Sequence, residues 1–537
     1  MRRASLILAG VACAGAGLAA VAFAVSATDV QANQPQVAGV PGSNATARFP
    51  TNKQNEPTIA ISPTSSLRMI AGANDEQLEP PCGPGPVRGT VPGSDCSFFP
   101  GVGGDGVYTS ADGGGTWTNR GLLPGFSDNG GNLQSDGDPQ IVYGPRPDAH
   151  GSLAAARAAH TYVGGTRAYY GGLAEFASGA KGNQAPELVT VSTSDDDGAT
   201  WSNPVIAANG HGFKFNDKDA VWADRNPSSP FFGRVYVSWT QFRGSVATDN
   251  AAPIRIVFSD DGGKTWSKQR QLSAAQNQGH GGRQGSTVRT GADGTVFVVW
   301  EDSDVRGPKQ VVAVSHDGGV SFSRPIDIAR VTDLQAAIPG SNFRTDSFPS
   351  LGVDQATGAA YLAWADLRNG QGRIVVSKGT NQGTQWAAPV VVSPAADGYA
   401  FFQGLDVAPN GRVDVGYQAL KTRDPSAIGT GNATIDSFYV SSTNGGVSYS
   451  ASTRVSTLSS DPAASAQNDL ELQFWGDYNT LASTSANAFF IYTDSRNGAG
   501  CVAVDAFQRG TAAKPAPGAD CPAQFGNTDV FVSAITP

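Results

Sequence analysis

The sequence predicts an all-β fold in which one small antiparallel sheet is repeated along the chain. Three observations predict it. A short phrase recurs from end to end: SADGGGTW at 110–117, SDDDGATW at 194–201, SDDGGKTW at 259–266, SHDGGVSF at 315–322 and STNGGVSY at 442–449. A worn copy, GTNQGTQW, stands at 379–386. The 537 residues hold 67 glycines and only 15% charged residues, with Val, Thr, Ser and aromatics in short runs split by turn formers, the composition of many short strands. After residue 35 no long stretch carries a 3.6-residue apolar period, so helices are expected to be few.

The phrase itself reads as a tight turn. Its Asp or Asn accepts hydrogen bonds from nearby backbone N–H groups, and the Gly in fifth place takes a positive φ without steric cost. The closing Trp, Phe or Tyr has a ring to pack on the sheet or on the next unit. An alternating apolar strand precedes each copy, as in IRIVFS (254–259), QVVAVS (310–315) and RIVVS (373–377). Two more strands come before that one. The first is marked by Pro or Asp: NEPTIAIS (55–62), DPQIVYG (138–144), KDAVWAD (218–224), STVRTGAD (286–293), FPSLGVD (348–354), QGLDVAP (403–409) and GDYNTLAS (476–483). The second ends apolar and aromatic, as in GRVYVSWTQF, TVFVVWEDS and AAYLAWADLR. First strands number seven, one more than the phrases, because the chain ends soon after TDVFVSAI (528–535).

The phrase resembles the Asp-box, the repeat of sialidase-type β-propellers. The resemblance covers most of residues 50–537 and implies four-stranded blades set radially about a channel. Seven blades are expected from the strand count, with six as the alternative because sialidases themselves have six. A ring without a free edge needs a fourth strand in the last blade, and the segment 36–48 is expected to supply it. Long loops are read near 76–105, 145–167 and 497–527.

The N-terminus, basic at Arg2 and Arg3, then apolar, then small at Ala22-Phe23-Ala24, reads as an export signal; a retained membrane anchor is the competing reading. Residues 1–32 are assigned to that segment and 33–537 to a single propeller domain. Gly10-Val11-Ala12-Cys13 is a poor lipidation site. Cys82 with Cys96 and Cys501 with Cys521 are the simplest of three pairings in an oxidising compartment, and no CxxC or His-rich cluster suggests zinc. A net charge of −9 argues against a nucleic-acid partner. The expected partner is a glycan or another extracellular polymer, met by a secreted monomer that is free of the membrane once the signal is removed.

One end of the channel would collect the starts of first strands and the ends of second strands. First strands offer Asn55, Glu56, Asp136, Asp138, Asp217, Asp219, Asp346, Asp477 and Tyr478. Second strands end in Asp75, Gln241 with Arg243, Glu301-Asp302 with Arg306, Asp366 with Arg368, and Asp494 with Arg496. The resemblance implies Tyr478 as nucleophile and Asp75 as acid/base, with Asp477 and the arginines 243, 306, 368 and 496 holding the acid group of a terminal anionic sugar; sialidases are an exception to the two-carboxylate scheme. Against it, Asn55-Glu56-Pro57 stands where sialidases open with Arg-Ile-Pro, and no Glu is an obvious partner for Tyr478. Three further readings stand beside it: inter-blade ion pairs, a non-catalytic binding propeller, and a lyase or glucanase using paired channel carboxylates. That chemistry requires no cofactor. The acidic ring leaves room for a structural calcium bound by Asp and backbone carbonyls.

Overall fold

A computed structural model describes residues 25–33, 53–76, 104–126, 131–176, 187–210, 214–243, 251–274, 282–304, 307–334, 338–467 and 469–537. Seven antiparallel sheets follow one another around a ring, which makes the chain a seven-bladed β-propeller. Blade 1 runs from the channel outward as Gln54–Ser62, Ser65–Asp75, Gly104–Ser110 and Thr118–Leu122. Blades 2, 3 and 4 open with inner strands Leu133–Pro145, Lys214–Ala223 and Arg283–Thr290, and blades 5 and 6 with Ser350–Val353 and Tyr399–Val407. Blade 7 is composite: Thr480–Ser483, Ala488–Asp494 and Asp529–Thr536 take Ser26–Gln31 as their outermost strand.

An N-terminal strand therefore closes the ring, but it lies upstream of the expected 36–48, a segment outside the described residues. Ser26–Gln31 also falls within the span 1–32 assigned to export. Its alternating Ala27, Asp29 and Gln31 pair with Ile535, Ser533 and Phe531. Asp29 takes Arg496 Nη1 at 2.7 Å, and Arg496 Nη2 reaches Asp494 at 2.6 Å. Beyond the strand, Asn33 donates to Asp529 and to Gln54 of blade 1, both at 2.8 Å, so the closing segment is tied to the blades on both sides of the seam.

Hydroxyls stitch neighbouring inner strands. Thr480 Oγ1 accepts from Ile59 N–H at 3.1 Å, Thr58 Oγ1 from Ile141 N–H at 3.2 Å, and Ser350 Oγ from Leu405 N–H at 2.9 Å. Between blades, second strands bury large rings. Trp239, Trp300, Trp364, Tyr236 and Tyr361 are all fully buried.

Each repeated phrase joins the third strand of a blade to the outermost one. In blade 3, Asp261 Oδ1 accepts from Ser259 Oγ at 2.8 Å and from Thr265 N–H at 2.9 Å, while Gly263 N–H donates to Ser259 Oγ at 2.9 Å. Blades 1, 2 and 4 repeat this set, and blade 6 does so with Asn444 in place of Asp. The fifth-place glycines 114, 198, 263, 319, 383 and 446 have φ between 78° and 89°. Each sits on the blade before it: a Cβ on Gly319 would lie 3.1 Å from Tyr236, and one on Gly446 would lie 2.9 Å from Tyr361. The phrase is thus a turn and an inter-blade joint together.

Among the described residues α-helices are few and short: Ala154–Ala159 in the loop near 145–167, and Val502–Gln508 and Pro517–Asp520 in the loop near 497–527. Cys501 and Cys521 form a disulfide that fastens the latter; Cys82 and Cys96 lie outside the described residues. Among the described residues no helix is long and apolar enough to cross a membrane.

Candidate functional site

A cavity of about 310 Å³ opens at the channel mouth, at the starts of the inner strands. Its wall draws Glu56 from blade 1, Asp136 and Asp138 from blade 2, Asp217 and Lys218 from blade 3, Gln284 from blade 4, Arg344 and Asp346 from the segment before blade 5, and Asp477 from the segment before blade 7. A smaller chamber of about 70 Å³ lies beside it, with Lys218, Arg289, Asp346, Asp477 and Tyr478 on its wall.

One backbone device aims these side chains. The first and second strands lose register at Asn55/Thr58, Gly137/Gln140, Asp217/Ala220, Gln284/Thr287 and Phe401/Gly404. Each bulge passes through the left-handed region: at Glu56 (φ 54°), at Gly137 and Asp138 (82° and 59°), at Lys218 (49°), at Gly285 (68°) and at Phe402 (46°). A bulge re-aims a side chain by kinking its strand. Holding a non-glycine residue there costs roughly 1–3 kcal/mol, strain that clusters at functional sites.

Six carboxylates face two cations, Lys218 and Arg344, and both cations are engaged. Arg344 grips Asp477 bidentately, Nε to Oδ1 at 2.7 Å and Nη2 to Oδ2 at 2.6 Å. Lys218 Nζ lies 4.0 Å from Asp138 and stands 3.4 Å over the Tyr478 ring. Asp138 Oδ2 accepts from Lys218 N–H at 2.9 Å, and Gln284 Nε2 donates to Asp217 Oδ2 at 2.8 Å. Burial, then the charges of Asp138 and Asp477, push the Glu56 carboxyl well above the usual carboxylate range. Burial and then Asp138 push Asp217 up to about 7. Asp219, on the same strand and fully buried, is driven well above its ordinary value by burial and then Asp138.

Behind the wall, the 497–527 loop braces Arg344. Asn342 and Gln473 exchange hydrogen bonds at 3.2 and 2.8 Å, Asn342 Nδ2 donates to Gln508 at 3.3 Å, and the rings of Phe343 and Trp475 lie 6.0 Å apart. These contacts hold the segment of Arg344 against that of Asp477.

Of the residues expected at the site, Asp477 lines the cavity and Tyr478 lies just behind it. The Tyr478 hydroxyl donates to Pro139 O at 3.3 Å, and burial, then Asp138 and Glu56, push its phenol well above 10. Asp75 is fully buried one strand further from the axis, where it accepts from Gln54 Nε2 at 2.8 Å and Tyr108 OH at 2.5 Å. Arg243 ends the second strand of blade 3 and donates to Gln241. Arg368 pairs with Asp366 at 3.1 Å, and Arg496 pairs with Asp494 and Asp29. None of these three arginines lines either cavity, and Arg306 lies outside the described residues. Second-strand ends share the level of the mouth but stand one strand, about 4.8 Å, away from it. Lys218, Gln284 and Arg344 were missed. Lys218, within Asn216-Asp217-Lys218-Asp219, carried a signal, since it is the one base amid the inner-strand acids.

No protein-family model matches the chain. A sialidase of Micromonospora viridifaciens is 28% identical over 240 residues, 42% of this chain and 33% of that protein. The chain thus spans about a third of the length of that curated relative. Among solved structures, an α-L-arabinofuranosidase of Fusarium graminearum overlaps 95% of this chain and 97% of its own at 14% identity and TM-score 0.43. An α-L-arabinanase of Penicillium chrysogenum overlaps 94% and 97% at 10% identity and TM-score 0.42. A Hadza microbial sialidase overlaps 72% and 70% at 16% identity and TM-score 0.40. The chain is a seven-bladed β-propeller similar to the sialidase-like propeller superfamily.

Proposed function

We propose that this chain is an exported glycoside hydrolase that cleaves a glycan at the channel mouth with paired carboxylates. Glu56 is the proton donor to the leaving oxygen, and Asp138 is the carboxylate working opposite it. One observation carries the reading: the cavity sets a carboxyl whose hold on its proton is strengthened by burial and two neighbouring acids, beside carboxylates compensated by Lys218 and Arg344. Glycoside hydrolysis needs two carboxyl groups whose environments separate their roles. The partial identity to a sialidase supports a glycan as the substrate. Export is supported by the apolar leader ending at Ala22-Phe23-Ala24, just before the strand that begins at Ser26, and by the Cys501–Cys521 disulfide.

A second reading keeps the terminal anionic sugar, with Tyr478 as nucleophile and Arg344 and Lys218 receiving the acid group. That sialidase identity favours it; the excess of carboxylates on the wall opposes it. Release of fluorophore from a panel of neutral aryl glycosides and from a sialoside, by wild type, Glu56→Gln and Tyr478→Phe, tests both. Turnover of a neutral glycoside that falls in Glu56→Gln and is kept in Tyr478→Phe supports the first. Sialoside turnover that is lost in Tyr478→Phe and kept in Glu56→Gln replaces it with the second. Retention on a glycan array with no turnover of any substrate makes the protein a binding propeller.

A further inference from the structure

On the blade 4 side of the mouth, three carboxylates crowd together. Glu301 lies in the second strand of blade 4, Asp333 in the loop that follows the outermost strand of that blade, and Asp346 in the segment leading to blade 5. An oxygen of each lies within 4.8 Å of the other two. Like charges so placed repel unless protons or a cation intervene. The arginines around them have other partners: Arg283 pairs with Asp302 at 3.0 Å, Arg344 with Asp477 and Arg368 with Asp366.

A second feature, independent of the acids, points to something held there. Gln310 stands directly opposite Glu301 in the ladder, so their side chains share a face. It is fully buried, and its Nε2 donates to the backbone oxygen of Ser347, the residue after Asp346, at 2.8 Å. That contact ties the amide to the segment that carries Asp346, on the face it shares with Glu301, and leaves its Oε1 buried with no donor. Glu301 is 5% exposed, and its Oε2 likewise has no donor; nor has the buried Oδ1 of Asp333. An unmet buried polar atom costs about 1–3 kcal/mol. Three of them in one place are explained by a positive guest.

We propose that Glu301, Asp333 and Asp346 hold a divalent cation of the calcium class at the edge of the cavity. The donors are all oxygen, the choice of hard cations, and neither histidine nor thiolate is among them. Three carboxylates supply up to six oxygens and more than balance two positive charges. Because Asp346 lines both chambers, the ion would pin the segment that carries Arg344. The proposal stands on this geometry whether or not the cavity cleaves glycosides.

Full-length protein stripped with EDTA and returned to metal-free buffer is titrated with calcium chloride, and separately with magnesium chloride, by calorimetry and by thermal melting. Saturable one-to-one calcium binding with a rise in Tm is expected, magnesium binding being weaker. Asp333→Asn changes a loop residue outside the sheet and should fold; it should weaken calcium binding about tenfold or more and remove the rise in Tm. Asp327→Asn, at an exposed acid on the outermost strand of the same blade, should leave both intact. No heat and no change of Tm with millimolar calcium in the wild type overturns the proposal. So does an undiminished response in Asp333→Asn.

Discussion

The rim and the mouth of this ring use the same backbone trick for opposite ends. At the rim blades 1 to 6 send the chain through the left-handed region, and at the mouth blades 1 to 4 and 6 do so. At the rim the fifth place of the phrase is glycine in all six turns, the residue that bears the conformation at least cost, and the fourth place is left-handed too, glycine in four turns and Asp197 and Gln382 in the other two. At the mouth the left-handed place is filled by Glu56, Asp138, Lys218 and Phe402, with the glycines Gly137 and Gly285 free of strain. The rim is uniform because each turn must seat on an equivalent ring of the blade before it. The mouth is varied because each blade contributes a different group to one cavity. Repetition marks the frame, and departure from repetition marks the site.

The largest effect that would sharpen this contrast is at the mouth. Glu56→Gln keeps the shape of the side chain and removes its proton, so kcat on glycosides with poor leaving groups should fall about 10²–10⁴-fold. Substrates with activated aryl leaving groups should lose less. Melting should change little, because the strain at φ 54° stays. Equal turnover by variant and wild type would strip Glu56 of its role.

Arg496 tests the boundary between the two regions, since the sequence offered it as a substrate arginine and the structure sets it in the seam. Its side chain is 5% exposed and serves two acids that are 2% and 3% exposed. Arg496→Ala would leave both carboxylates buried without a cation, a loss of about 3–5 kcal/mol, read as a fall in the urea midpoint. A raised KM with an unchanged midpoint would return Arg496 to the substrate.

At the rim the effects are smaller and should repeat. Gly319→Ala forces a Cβ to 3.1 Å from Tyr236 at φ 89° and should cost roughly 2 kcal/mol. Gly263→Ala, with 3.6 Å to Tyr169 at φ 88°, should cost less. Two such changes in blades that do not touch should add. Activity should follow stability alone. A rim variant that lost turnover without losing stability would break the division of labour.

These regions also differed in what the sequence disclosed. Six copies of one phrase fixed the turn chemistry and seven inner strands fixed the blade count, since local hydrogen bonds and periodicity are sequence-near properties. The acids of the cavity were legible as the starts of inner strands: Glu56, Asp136, Asp138, Asp217, Asp346 and Asp477 all stand there. Asp75, Arg243, Arg368 and Arg496 were misplaced because an inner and a second strand differ by one strand spacing at the same height, a difference no spacing in the sequence records. Arg344 was hidden because its partner Asp477 is 133 residues away. The closing strand was hidden because Ser26–Gln31 follows an apolar leader and shows its alternation only against Asp529–Thr536.

A further effect concerns Asp217 and turns on sign. Its carboxyl is pushed from the ordinary 3.8 up to about 7 in the folded chain. Between those values the native state keeps a proton that the unfolded state has released, so stability falls as pH rises through that window. Below about 3.8 both states are protonated, and above about 7 both are ionised. Asp217→Asn carries no such group. Its Tm relative to wild type should therefore climb between pH 4 and pH 7 and then level off. Asn can still accept from Lys218 N–H, and Gln284 can turn its amide to meet it, so the offset at low pH should be slight. A rim acid gives the opposite sign: burial raises Asp261, but the hydrogen bonds from Thr265 and Ser259 together outweigh it and hold the carboxyl below its usual value, and replacing it should cost most at neutral pH and least in acid. If the two variants ran parallel with pH, the mouth would hold its carboxylates no differently from the rim, and the electrostatic distinction between the two ends of the ring would be lost.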